Sequence, residues 1–140
     1  MLSLPQTAEY ALRAVCYIAE HEHAGPVPVP AIAASLGAPQ NYLSKTLHQL
    51  GALGVLRSVR GAQGGYRLGI SPERLHLATV VEPFLVPTEQ RCIMGRTRCS
   101  EEAPCGAHFR WKAVKDTAHA FFAELTVSDL LARTPESAVS

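Results

Sequence analysis

Cys92, Cys99 and Cys105 stand at C-x6-C-x5-C within the stretch CIMGRTRCSEEAPCGAHFRW, and His108 follows the last of them by three residues. The stretch is too polar for a core and has no helical or strand period, so its thiols are not there to pack. Three thiolates gathered by a flexible loop make ligands for an iron-sulfur cluster, with a histidine or a carboxylate completing the set. Two other chemistries use the same residue types. Three cysteines and a histidine form a tetrahedral zinc set, and the neighbouring Arg91, Arg96 and Arg98 would favour thiolates in a thiol switch. Spacing alone leaves cluster, zinc and switch open. A cysteine protease arrangement finds no support: the loop shows no nucleophile elbow or glycine-rich oxyanion turn, and nothing about the distant histidines supports a base.

The chain of 140 residues is 47% apolar, which allows one domain, or a domain with an arm, around a sizeable core. With 13 Lys and Arg against 12 Asp and Glu it is close to neutral, so a polyanion must be met by a local patch. The N-terminus MLSLPQTAEYALRAV has no basic head followed by an apolar run, and no window is long enough to span a bilayer. The expectation is a soluble cytoplasmic protein, with no membrane and no small-molecule substrate. In that reducing compartment a cysteine cluster serves metal or redox chemistry rather than a disulfide framework.

The loop must be carried by ordered elements, and these are legible. EYALRAVCYIAE, from Glu9 to Glu20, sets Leu12, Val15, Cys16 and Ala19 on one helical face, with Cys16 read as core. HEHAGPVPVP breaks that helix and reads as a linker, in which His21 and His23 have no soft partner and no role. A short helix from Pro30 ends at Gly37, a residue suited to a left-handed C-cap. A second helix turns Leu43, Leu47 and Leu50 inward. This is helix-turn-helix spacing. VLRSVRGAQGGYRLG is a hairpin with a glycine-rich tip, so the whole is a winged helix. SPERLHLATVVEPFL gives a short helix stopped by Pro83. AHFRWKAVKDTAHAFFAEL gives a long amphipathic helix with Trp111, Val114, Ala118, Phe121 and Leu125 on one side. Thr126 to Asp129 resembles a capping box opening a last short helix. The fold class is therefore mainly α with a small β-hairpin wing.

Between Pro39 and Ile70 the charged residues are Lys45, Arg57, Arg60 and Arg67, a local charge of +4 in a nearly neutral chain. Such clustering suits a phosphate backbone. The second helix opens with Gln40, Asn41, Tyr42, Ser44 and Lys45, and recognition helices reach base edges from their N-terminal residues. Tyr42 divides between core and phosphate contact. On the wing, Ser58 and Arg60 are candidate contacts, and Gly64 and Gly65 would let backbone approach sugar and phosphate.

Together AEYALRA, NYLSK, SVRGAQGGYRLG and a three-cysteine loop ending CGAHFRW resemble the Rrf-two family of bacterial winged-helix transcriptional regulators, of the iron-sulfur type, in order from about Leu4 to Leu131. The resemblance implies a homodimer joined by the long helix and seated on a palindromic double-stranded DNA operator. It implies one iron-sulfur cluster per subunit, 2Fe-2S or 4Fe-4S, on Cys92, Cys99 and Cys105, controlling a regulator, expected to be a repressor, and no enzyme activity. His108 matches the fourth ligand of one branch of the family. Glu9 falls where another branch has an aspartate that reaches the cluster of the partner subunit. Ser44 replaces an acidic residue that discriminates between operator classes, so the operator sequence is not implied. The expected organisation is a winged helix-turn-helix over 1–83, a cysteine loop over 84–106, a dimerisation helix and short helix over 107–133, and a disordered tail over 134–140.

Overall fold

The computed structural model describes residues 3–85, 92–95 and 101–132. Cys99 and the tail after Ala132 lie outside the described residues. Helix α1 spans Gln6–His21 and is followed by a 3-10 turn at Glu22–Ala24; then come α2 (Val29–Leu36), α3 (Gln40–Ala52), β1 (Leu56–Val59) and β2 (Gly65–Leu68). Helix α4 (Leu77–Val81) runs into a 3-10 turn at Glu82–Phe84, and α5 (His108–Glu124) and α6 (Val127–Leu131) follow among the described residues. The architecture is a winged helix with a long C-terminal helix, as the sequence patterns imply.

Helix α1 is the centre of the core because its buried face is narrow: Ala8, Ala11, Ala14, Val15 and Ile18 are fully buried. Small residues along that face let α2, α3 and α4 approach closely. Ile32, Leu43, Leu47, Leu50 and Val80 fill the space from the other side, all without exposed surface. Gly37 caps α2 with φ 66°, a left-handed conformation that only glycine adopts at little cost, and it sets the turn into α3.

The wing is an antiparallel pair with Leu56 opposite Leu68 and Val59 opposite Gly65. A third strand-like segment lies in HEHAGPVPVP, which the sequence pattern assigns to a linker. Val27 and Tyr66 exchange backbone hydrogen bonds of 2.9 Å in each direction, so the linker is the outer edge of the wing. Glu22 then accepts the Leu68 N–H at 2.7 Å. Both contacts are long-range, and a run of prolines conceals them. They explain Gly65: a Cβ there would overlap the Val27 carbonyl and the start of Pro28. Gly65→Ala is expected to cost about 2–3 kcal/mol, lowering the melting temperature by roughly 5–10 °C in a calorimetric scan. An unchanged melting temperature would mean that Val27 does not pack on the wing.

Pro83 comes just after the end of α4 at Val81, as expected of the residue that stops that helix. It occupies the first turn of a 3-10 segment, where its missing N–H leaves no bond unmade. The C-terminal helices are bound back to the body. Leu77 N–H donates to Leu125 at 2.9 Å and Val127 N–H to Leu75 at 2.8 Å, so residues 125–127 pair beside 75–77. The expected capping box is formed: Thr126 Oγ1 accepts the Asp129 N–H at 3.2 Å, and the Asp129 carboxylate accepts the Thr126 N–H at 2.9 Å. The Thr126 N–H and the Thr126 hydroxyl, both donating to it, hold the Asp129 carboxyl below its ordinary pKa, with His76 adding a smaller pull.

Cys16 packs against the core and borders an open groove of about 280 Å³ between α1, α2 and Leu130. Burial, helped by the charge of Glu20, pushes its thiol up to about 11. It is a packing residue and a poor nucleophile near neutral pH.

Candidate nucleic-acid interface and metal centre

Helix α3 divides cleanly by periodicity. Leu43, Thr46, Leu47 and Leu50 are buried, which leaves Gln40, Asn41, Lys45, His48 and Gln49 exposed and Ser44 half-buried on the outer face. On the wing Ser58 and Arg60 are exposed, as is Arg57. Of the four cations predicted to face a polyanion, Arg67 is committed elsewhere: its Nη1 donates to the Glu22 carbonyl at 3.0 Å. Arg57 and Arg67 are direct cross-strand partners, an arrangement that repels. Drawing Arg67 back toward the Glu22 turn relieves it. Lys45, Arg57 and Arg60 then form the outward charge. Gly64 lies in the tip, where its N–H donates to Gly61 at 3.0 Å and a Cβ would overlap the Val59 carbonyl. The wing glycines thus have a packing reason that the sequence did not reveal.

Arg60→Ala is expected to weaken binding to a cognate duplex by about 1–3 kcal/mol, measured by fluorescence anisotropy at matched salt. Unchanged affinity would remove Arg60 from the interface.

The metal candidates lie at the opposite end of the sequence. Cys92 is buried and Cys105 half-buried, and their Sγ atoms are 3.8 Å apart. The turn at Cys92 is closed by Gly95 N–H donating to the Cys92 carbonyl at 2.9 Å, while Met94 N–H points at Cys92 Sγ from 3.4 Å. Cys105 is placed by the start of α5, since its carbonyl accepts the His108 N–H at 3.1 Å. His108 is the first residue of α5 and is 4% exposed. One side chain missed by sequence reasoning holds this junction: Glu101 receives Lys112 Nζ at 2.6 Å, from the second turn of α5. That bond and the Lys112 charge lower the Glu101 pKa, with His108 a minor contributor. Both ends are exposed, so the pair aligns the loop more than it stabilises the fold.

A separation of 3.8 Å is too long for a disulfide, whose sulfurs lie ~2 Å apart. It matches two corners of a tetrahedral ion with metal–sulfur bonds of ~2.3 Å, which spaces its sulfurs by about 3.8 Å. The spacing suits a thiophilic metal, a cluster iron and a plain thiol–thiol hydrogen bond alike. Among the described residues no three His, Cys, Asp or Glu side chains converge on one point, and Cys99 lies outside those residues. Glu9 is not drawn to the cysteines of its own chain; its carboxylate meets Arg13 at 3.5 Å on the exposed side of α1.

Among the described residues no helix is long and apolar enough to cross a membrane. The model of the Rrf2 family, described as iron-dependent transcriptional regulators, matches residues 4–133. An HTH-type transcriptional regulator of Aquifex aeolicus is 33% identical over 128 residues, covering 89% of this chain and 88% of that protein. The regulator IscR of Aliivibrio salmonicida is 27% identical over 130 residues, covering 93% of this chain and 77% of its own. Among solved structures, CymR, the global cysteine regulator of B. subtilis, superposes with a TM-score of 0.80 at 23% identity, covering 96% of this chain and all of that one (100%). IscR of T. potens gives 0.77 at 24% identity, covering 99% and 93%. At such identities the two structures speak for the fold.

Proposed function

The chain belongs to the Rrf2 family of DNA-binding transcriptional regulators and is not an enzyme, and from that premise we propose that it is a homodimeric cytoplasmic repressor whose operator binding is set by an iron-sulfur cluster on Cys92, Cys99, Cys105 and His108. The observation that carries the reading is the 3.8 Å thiol pair. Cys92 and Cys105 would hold the cluster together with Cys99 and His108. His108 is preferred to Glu9 because it is buried on the turn that Cys105 begins, whereas Glu9 is exposed and engaged by Arg13. When bound, the cluster supplies a centre that is altered by nitric oxide, by oxidants or by iron-sulfur supply.

The protein's own residues supply the rest. Cys92 and Cys105 close the loop at the mouth of α5, and Glu101 with Lys112 holds it along the first turns. Helix α5 leaves Phe109, Val114 and Phe121 exposed, and His108 is its only buried residue. Val114 and Phe121, seven residues apart, share one face of α5, and a second α5 would cover that face about a twofold axis. The far end of α5 is hydrogen-bonded to the start of α4, and α4 and α6 pack on α1. A change where the loop meets α5 thus alters the spacing of two recognition helices on a palindrome.

Protein isolated without air from cells that make such centres is expected to be coloured and to contain iron and acid-labile sulfide in equal amounts. Colourless protein with stoichiometric zinc would favour a structural zinc, which the same 3.8 Å spacing also suits.

A further inference from the structure

Tyr42 lies in the first turn of α3 and is 39% exposed, a position open to a phosphate contact. The structure engages both parts of its side chain from behind. Its phenolic hydroxyl is hydrogen-bonded to Thr7 Oγ1 in the first turn of α1. Its ring stands edge-on to Tyr10, with centroids 5.9 Å apart and planes at 74°. Tyr10 is itself steadied by Gln6, whose Nε2 donates to its hydroxyl at 3.2 Å.

This contact matters because α3 begins at Pro39 without a side-chain cap. A helix start normally gains definition from a Ser, Thr, Asp or Asn that binds the first N–H groups. Here the first turn is instead fixed by tertiary contact with α1. Gln40, Asn41, Ser44 and Lys45, the outer-face residues nearest the helix start, all lie within one turn of Tyr42. The next link along α1 has the same character: Arg13 Nη2 donates to the Leu36 carbonyl at 3.4 Å, at the end of α2. The N-terminal half of α1 therefore grips both helices of the helix-turn-helix.

We infer that Tyr42 is a positioning residue for operator recognition: through Thr7 and Tyr10 it clamps the base-reading end of α3 to α1, so that operator affinity depends on a hydroxyl group of α1. The inference rests on the reading of α3 as the recognition helix. A phosphate ligand would act alone, whereas a clamp needs both partners, so substitutions at its two ends must not add.

The test uses the full chain and a duplex selected by the wild-type protein from a random pool. Affinity is measured by anisotropy at a temperature where every variant is folded. Thr7→Val and Tyr42→Phe are each expected to weaken binding about 3- to 10-fold. The double variant should be no weaker than either single one, and Thr7→Ser should restore wild-type affinity. A Tyr42→Phe loss with Thr7→Val unaffected, or two losses that multiply, would make Tyr42 a direct DNA contact and overturn the clamp. Lower melting temperatures with unchanged affinities would reduce the contact to fold stability and overturn it equally. Lys45→Ala separates the two ways of failing. If it too leaves affinity unchanged, α3 does not read the duplex and the inference falls with that reading; if it weakens binding, the failure is the clamp's own.

Discussion

Cys105→Ala is expected to abolish iron and sulfide binding while leaving the winged helix folded. The thiol is half-buried and lies outside the hydrophobic core, which is built from α1 to α4, the wing and α6. Its loss therefore removes no core packing, and thermal stability of the metal-free protein should shift by less than about 1 kcal/mol. The effect on metal is of another order. With Cys105 gone, Cys92 keeps no thiolate at 3.8 Å to share a tetrahedral ion, and visible absorption should vanish from protein isolated without air. His108→Ala should behave in the same direction, whereas Glu9→Gln should keep the chromophore, because Glu9 is paired with Arg13 on α1. Colour that survives Cys105→Ala would dissolve the ligand pair on which the assignment stands. Colour lost with Glu9→Gln and kept with His108→Ala would move the fourth ligand to the partner subunit.

Phe121→Asp is expected to separate the proposed dimer. Phe121 is 51% exposed on α5, while its neighbour Phe122 packs against the core, so the two rings divide the helix between an inner and an outer surface. A buried aromatic at the centre of a self-complementary interface contributes about 2 kcal/mol or more, and a charge there adds the cost of desolvation. Sedimentation should show a monomer at concentrations where the wild type is dimeric. Operator affinity should fall by about 100-fold or more, since two half-sites are no longer engaged together. Circular dichroism should be unchanged, the inner surface being intact. A variant that stays dimeric would mean that the subunits meet elsewhere.

What the sequence made legible was local. Gly37 at the helix end, the leucines of α3 and the Thr126–Asp129 box are each decided within a few residues, and each appears where its spacing places it. What it hid was tertiary. HEHAGPVPVP reads as a linker because its prolines end a helix, yet the same prolines leave Val27 extended beside Tyr66, and nothing local reports the pairing. Arg67 counts toward a basic patch until Glu22 is seen to hold it back. The apolar face predicted for α5 divides: Val114 and Phe121 remain exposed, while Leu125 packs inward, as does Phe122. A period of apolar residues marks a buried face without saying whether the same chain buries it. In the cysteine loop the residue types left cluster, zinc and thiol switch open, and the closeness of Cys92 and Cys105, rather than of Glu9, required the fold.

In the proposed function the state of the cysteine loop governs how the paired winged helices sit on DNA. The most direct test is the affinity of one preparation for one selected duplex, measured without air before and after its iron is removed, at fixed salt. A change of about tenfold or more on removal, absent in Cys105→Ala, is the predicted result. Iron-loaded and iron-free protein binding the duplex with the same affinity would contradict it.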